Sequence, residues 1–225
     1  HILRSSVALI RRTMHDRQIY YAILAISFFW TIGAVLFIQF PPLAKNVISA
    51  SKEVASLFLV IFSVGVAIGS VAVNHLLKGK VSARFAPFSV IVMAGFVVAF
   101  WFVARIWPVP TEGPLLDVPQ FLAVPMAYPL LGALLGIAIA GGMFVVPLYA
   151  FLTTRVAPEQ ASRTIAANNI VNSGAMVGGA LLAMALTAVG LEITDQVLMS
   201  AGMCLVSCWL ARRLVMAERA AEAST

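Results

Sequence analysis

Six apolar runs, nearly free of charge and separated by short polar or turn-rich breaks, set the pattern of this chain. They cover Gln18 to Pro41, Val54 to Leu77, Phe85 to Ala104, Pro125 to Leu152, Thr164 to Val189 and Gln196 to Ala211. A hydrocarbon core of about 30 Å needs about 20 helical residues to cross it, and each run reaches or approaches that length. Lipid offers the backbone no hydrogen-bond partner, so a span is a helix or a strand of a closed barrel. These runs are continuous rather than alternating, which selects helices. The pattern predicts an all-α, polytopic membrane protein of six transmembrane helices.

The breaks carry the organisation. Residues 1–17 mix Ile2, Val7, Leu9, Ile10 and Met14 with Arg4, Arg11, Arg12 and Arg17, as an interfacial helix or a cytoplasmic linker would. Pro41 and Pro42 are expected to stop the first span. Lys78-Gly79-Lys80 turns the chain after the second, and Trp107-Pro108 closes the third. The longest break, Pro108 to Pro125, contains Pro110, Glu112, Pro114, Asp117 and Pro119 and reads as an irregular external loop, with Trp101 and Trp107 placed for an aromatic belt. It divides the spans into three and three, and paired three-helix units related by inversion are a recurring transporter plan. Residues 18–213 then form one six-helix domain, and 214–225 a cytoplasmic tail or linker. A start at His1 rather than Met is read as the start of a fragment.

Composition removes the soluble alternative. Hydrophobic residues make up 61% of the chain and charged residues 11%, where a soluble domain carries about 25% charge. Mean hydropathy is +0.98. The net charge of +6 would suit nucleic acid only if the cations shared a soluble face, and they do not. With the N-terminus in the cytoplasm, Arg4, Arg11, Arg12, Arg17, Lys78, Lys80, Arg84, Arg155, Arg163, Arg212, Arg213 and Arg219 fall inside, and only Lys45, Lys52 and Arg105 outside. That asymmetry predicts both ends cytoplasmic.

Candidate chemistry is polar but uncharged. In the fifth span Asn168 and Asn172 lie one turn apart, and Asn169 and Ser173 repeat that spacing on the next stripe. Amides facing lipid are costly, so they are expected to point into the bundle, as glue between helices or as the lining of a wet cavity. Tyr149 stands near enough in the fourth span to join them. Ser27, Trp30, Thr31, Gly33 and Gln39 in the aromatic first span suit an amphiphilic ligand, or simply packing. Pro147 removes a helical bond beside the doublet Gly141-Gly142, which predicts a bend that serves as a hinge or as fixed architecture. The pairs Gly65/Gly69, Gly132/Gly136 and Gly174/Gly178 predict close helix contacts, static or sliding.

Other chemistries find little footing. Cys204 and Cys208, four apart on one helix face, fit neither a disulfide nor a complete metal site. No Asp, Glu, Lys or Arg lies well inside a span, and His75 is the one histidine near a span. Ser173-Gly174 lacks the glycine and histidine of a serine nucleophile motif. Gly79-Lys80 lacks the rest of a P-loop. No catalytic residue, cofactor or metal is expected.

The fourth-span sequence GGMFVVPLYAFL, followed by RTIAANNIVNSGAM, resembles the bacterial lysophospholipid transporter family of the major facilitator superfamily. The likeness extends to FFWTIGAVLF and GVAIGS and covers about Arg17 to Arg213. It implies the carboxy-terminal six-helix half of a twelve-helix carrier in the bacterial inner membrane. The implied substrate is lysophospholipid, and the implied partners are the bilayer and an amino-terminal half outside this chain. Relatives can also be fused to an acyltransferase. That enzyme's signature, His with Asp five positions later, is missing, since His1, His15 and His75 are followed there by Ser6, Tyr20 and Lys80. By position the resemblance places Asn168, Asn169 and Asn172 in the family's polar fifth-span motif and Pro147 and Tyr149 in its fourth; with Trp30, Thr31 and Gln39 from the reading of the first span, the asparagines and Tyr149 are the candidates for substrate or gate, and Gly141, Gly142 and Pro147 for the hinge. The family more often has an acidic residue where Asn172 stands, so a neutral amide replaces a charge here. An exporter of hydrophobic drugs or metabolites, or a non-transporting anchor for a fused lipid enzyme, would share much of this pattern.

Overall fold

The computed structural model of the chain describes residues 2–108 and 113–223, with the side chains of 2–6 and 12 outside that description. Pro110 and Glu112 of the long break, and the side chains of Arg4 and Arg12, therefore lie outside the described residues. The described residues form eight helices: α1 (Ile2–Thr13), α2 (Arg17–Asn46), α3 (Lys52–Leu77), α4 (Ala86–Arg105), α5 (Val118–Ala123), α6 (Ala127–Thr154), α7 (Pro158–Ala188) and α8 (Ile193–Glu222). All but α1 and α5 are long and apolar enough to cross a membrane. The chain is an all-α, multi-pass membrane protein.

Local chemistry sets several helix ends. Asp16 caps α2 by accepting from the backbone N–H groups of Gln18 at 2.7 Å and Ile19 at 3.3 Å, satisfying donors that the helix itself cannot. Pro158 opens α7, where a missing N–H costs nothing. Lys78 ends α3 in the left-handed conformation at φ 51°, followed by Gly79 at φ 72°, and its N–H returns to the carbonyls of Asn74 and His75.

Two expectations from the sequence need correction here. The prolines do not stop the first span, because α2 runs through Pro41 and Pro42 to Asn46. Continuing forfeits the two backbone bonds that the prolines cannot donate. Stopping inside hydrocarbon would strand the last four carbonyls instead. Phe40, Leu43 and Ala44 are buried on the continued helix. The long external break is also less irregular than its prolines suggest. Its described part contains α5, opened by a capping box in which Asp117 and Gln120 accept from each other's backbone N–H. Leu116 exchanges backbone bonds with Ser49 and Ser51 in the α2–α3 turn. Phe121 is buried and stacks on Trp107 at 5.6 Å, and the indole nitrogens of Trp101 and Trp107 are buried without partners. Both tryptophans are half-buried and pack against the core.

The helices interleave. α6 packs on α3 and α4, α2 packs on α7 and α8, and α4 meets α8. α2 and α6 are the most enclosed spans, whereas α7 keeps most of its surface outside the bundle. Of the predicted glycine contacts, Gly65 and Gly69 press α3 against Ala138 and Ile139 of α6. Gly136 receives the Phe96 ring, whereas Gly132 has open space. A Cβ on Gly174 or Gly178 would meet open space, and their neighbour Gly179 makes the close approach instead, against Thr31.

The ends of the bundle differ in charge. Arg155 at the end of α6, Ser82 and Ala83 in the α3–α4 turn, and Glu218 on α8 meet at one end. Asp16 and Arg163 border one cavity with Arg155, so the start of α2 lies there as well. At the opposite end Arg105 pairs with Glu192 at 2.9 Å.

Candidate functional site

Three helices bring one hydrogen-bonded network to the middle of the bundle. Ser27 and Trp30 lie one turn apart on α2, Tyr149 follows Pro147 on α6, and Asn172 stands halfway along α7. The Ser27 hydroxyl donates to Asn172 Oδ1 at 2.6 Å. Asn172 Nδ2 donates to Tyr149 Oη at 3.1 Å, and Trp30 Nε1 donates to the same phenol oxygen at 2.8 Å. Thr31 Oγ1 donates to the Ser27 carbonyl at 2.9 Å. The network thus knots α2, α6 and α7 through neutral groups only.

One turn nearer the basic end, Asn168 breaks the rule that buried polar groups are paired. Its exposure is 0%, and neither Nδ2 nor Oδ1 has a partner. Each stranded group costs about 1–3 kcal/mol. A fold tolerates such a cost where something else is gained, commonly at a site that meets a ligand or changes partners.

The predicted residues divide between places. Asn172, Tyr149 and Trp30 join one network beside Asn168, and Ser27, which the sequence suggested only as part of an amphiphilic span, links it to Thr31 by donating to Asn172 through its hydroxyl and accepting from Thr31 at its carbonyl. Asn169 does not join them. It is exposed, because one residue advances a helix by about 100° and carries it off the stripe that faces α2. Ser173 follows it outward. Gln39 lies two turns further along α2, where its Nε2 donates to Gln196 Oε1. Gln196 in turn donates to Thr187 Oγ1 at 2.9 Å and to the Leu191 carbonyl at 3.2 Å. That second knot ties α2 to α8 and to the end of α7.

The proposed hinge positions are packed on both sides. Gly141 faces the Phe29 ring of α2, and a Cβ on Gly142 would stand 2.5 Å from the Val66 carbonyl oxygen of α3. α6 is continuous through Pro147, which borders a cavity of about 240 Å³ with Ser70, Asn74 and Ala150. Among the described residues no three His, Cys, Asp or Glu side chains gather to hold a metal. The free thiols of Cys204 and Cys208 lie on α8, the first buried.

Two residues that sequence reasoning passed over hold key places. Gln196 is fully buried, and its only sequence signal was an amide at the edge of an apolar run. Glu218, 4% exposed, accepts from Arg155 Nη2 at 3.0 Å, from the Ala83 N–H at 3.2 Å and from Ser82 Oγ at 3.3 Å. It sits in the segment expected to be a tail, yet α8 runs to Glu222.

Comparison of the chain with protein-family models, with curated proteins and with solved structures finds no match.

Proposed function

We propose that this chain is half of a major-facilitator-type transporter that moves lysophospholipid across or between leaflets of a bacterial inner membrane by alternating access. The carrying observation is the buried, unpaired Asn168 beside the Ser27–Asn172–Tyr149–Trp30 network in mid-bundle. Neutral donors and acceptors next to an indole suit an amphiphile with a phosphate head and a hydrocarbon tail. Carriers hold substrate near the bilayer midplane between repeats.

The pattern of helix neighbours supports a repeat. Its main contacts are matched when α2, α3 and α4 are exchanged with α6, α7 and α8, although α7 also touches α8 with no equal contact between α3 and α4. α3 lies on α6 as α7 lies on α2, and α4 lies on α6 as α8 lies on α2. The outward face of α7 supports a second six-helix unit, because Asn169, Ser173, Gly174 and Gly178 are all exposed there and amides are costly against lipid. The twelve cations at one end and three at the other favour cytoplasmic termini.

The test is transport by the complete carrier containing Asn168→Leu and Asn172→Leu. Uptake of labelled lysophosphatidylethanolamine should fall at least about tenfold, equivalent to about 1.4 kcal/mol, with membrane insertion retained. Unchanged uptake would remove these amides from the site. Efflux of cationic dyes, with no lysophospholipid uptake by the parent, would instead identify a drug exporter, and neither activity would favour a membrane anchor.

A further inference from the structure

The basic end of the bundle holds a feature unconnected with the mid-bundle network. An open cavity of about 500 Å³ lies between the α3–α4 turn and the last turns of α8. Lys78, Lys80 and Arg84 border it from the turn and Arg219 from α8, and Leu77, Val81 and Val215 supply an apolar wall. The left-handed pair Lys78 and Gly79 folds the chain back, so that both lysines stand on one tight turn.

The charges there do not cancel. Glu218 and Glu222 also border the cavity, but both face Arg155, at 3.0 and 3.9 Å, and Glu218 further accepts from Ser82 and from the Ala83 N–H. Arg84 leans on the Phe85 ring, 4.6 Å away. Among the described residues Lys78, Lys80 and Arg219 form no ion pair with a carboxylate. Three uncommitted cations around an open hollow favour an anion with several acceptor oxygens.

Depth selects the source of that anion. The cavity lies where α3 ends, the level at which hydrocarbon gives way to headgroups, and Leu76 and Val71 are exposed on the approach. We infer that this cavity binds the phosphate of an anionic membrane lipid, held by Lys78, Lys80 and Arg219, with its acyl chains along the outer face of α3. The inference does not rest on transport, and a failure of one leaves the other standing.

The experiment uses the purified chain in nanodiscs of phosphatidylcholine doped with phosphatidylglycerol, with retained lipid measured by mass spectrometry after delipidating washes. Phosphatidylglycerol should be enriched over its bulk fraction. Lys78→Gln, Lys80→Gln and Arg219→Gln should each reduce that enrichment, by about fivefold per charge. A Lys78→Arg/Lys80→Arg variant should retain it, and so should Arg105→Gln at the opposite end. Full enrichment in the folded triple glutamine variant would overturn the site. Displacement of the lipid by soluble glycerophosphate at matched concentration would overturn the lipid assignment in favour of a dissolved phosphate ester.

Discussion

Replacing Glu218 by Gln isolates the one buried carboxylate among the described residues. The carboxylate uses both oxygens, Oε1 toward Arg155 and Oε2 toward Ser82 and the Ala83 N–H. An amide of the same shape keeps one acceptor and turns an NH₂ toward a donor. Either Arg155 or Ala83 then loses its partner, and the pairing that remains is weaker for want of charge. A hydrogen bond to a charged group contributes about 1.5–3 kcal/mol, and stranding a fully buried charge costs about 3–5 kcal/mol. The Arg155 side chain is 34% exposed, so water recovers part of the loss, and about 2 kcal/mol is the expected destabilisation. Arg105→Gln supplies the comparison. Its pair with Glu192 is 51% and 68% exposed, and exposed pairs contribute about 0–1 kcal/mol. Unfolding in mixed micelles by graded sodium dodecyl sulfate, followed by helix content, measures both. Equal costs for the two variants, or a change under about 0.5 kcal/mol for Glu218→Gln, would refute the view that this carboxylate clamps α8 to the α3–α4 turn and the end of α6.

The same unfolding assay checks two further expectations. Gly142→Ala should cost about 1–3 kcal/mol, because its Cβ would meet the Val66 carbonyl and force α3 from α6, whereas Gly174→Ala, facing open space, should change stability little. Gln196→Leu should cost about 1–3 kcal/mol by stranding Gln39 on α2, and a Gln39→Leu/Gln196→Leu double variant should recover part of that loss.

The six spans were legible because hydrocarbon thickness is a blunt and reliable reader of apolar length. The limits of α2 were not, since a proline's local cost was set against stopping signals without counting the carbonyls a stop would strand. α8 was cut short at its arginines for a related reason. A charged amphipathic extension resembles a tail until a partner such as Arg155 gives Glu218 a reason to be buried. Asn168 and Asn172 were found by their spacing, but spacing alone treated Asn169 as equivalent. The neighbouring helix decides which stripe is inside, and no pattern within α7 names that neighbour. Ser27 was legible only as a polar residue of an aromatic span, not as the donor to Asn172, because a serine in a helix pairs as readily with its own backbone.

Polar groups divide the bundle into three levels. Gln39 and Gln196 join α2 to α8 toward one end, Ser27, Tyr149 and Asn172 join α2 to α6 and α7 in the middle, and Arg155 and Glu218 join α6 to α8 at the basic end. Hydrophobic burial gives spans no preference for one another within lipid, so such bonds and close backbone contacts set which helices stay together. Beside the middle knot Asn168 has no partner, and Ser51, Trp101 and Trp107 toward one end, Gln18 toward the other and Ser207 on α8 each bury a polar atom without one as well. Asn168 differs from the others in stranding two polar atoms, a donor and an acceptor together, so its side chain carries the largest unmet pairing of the set.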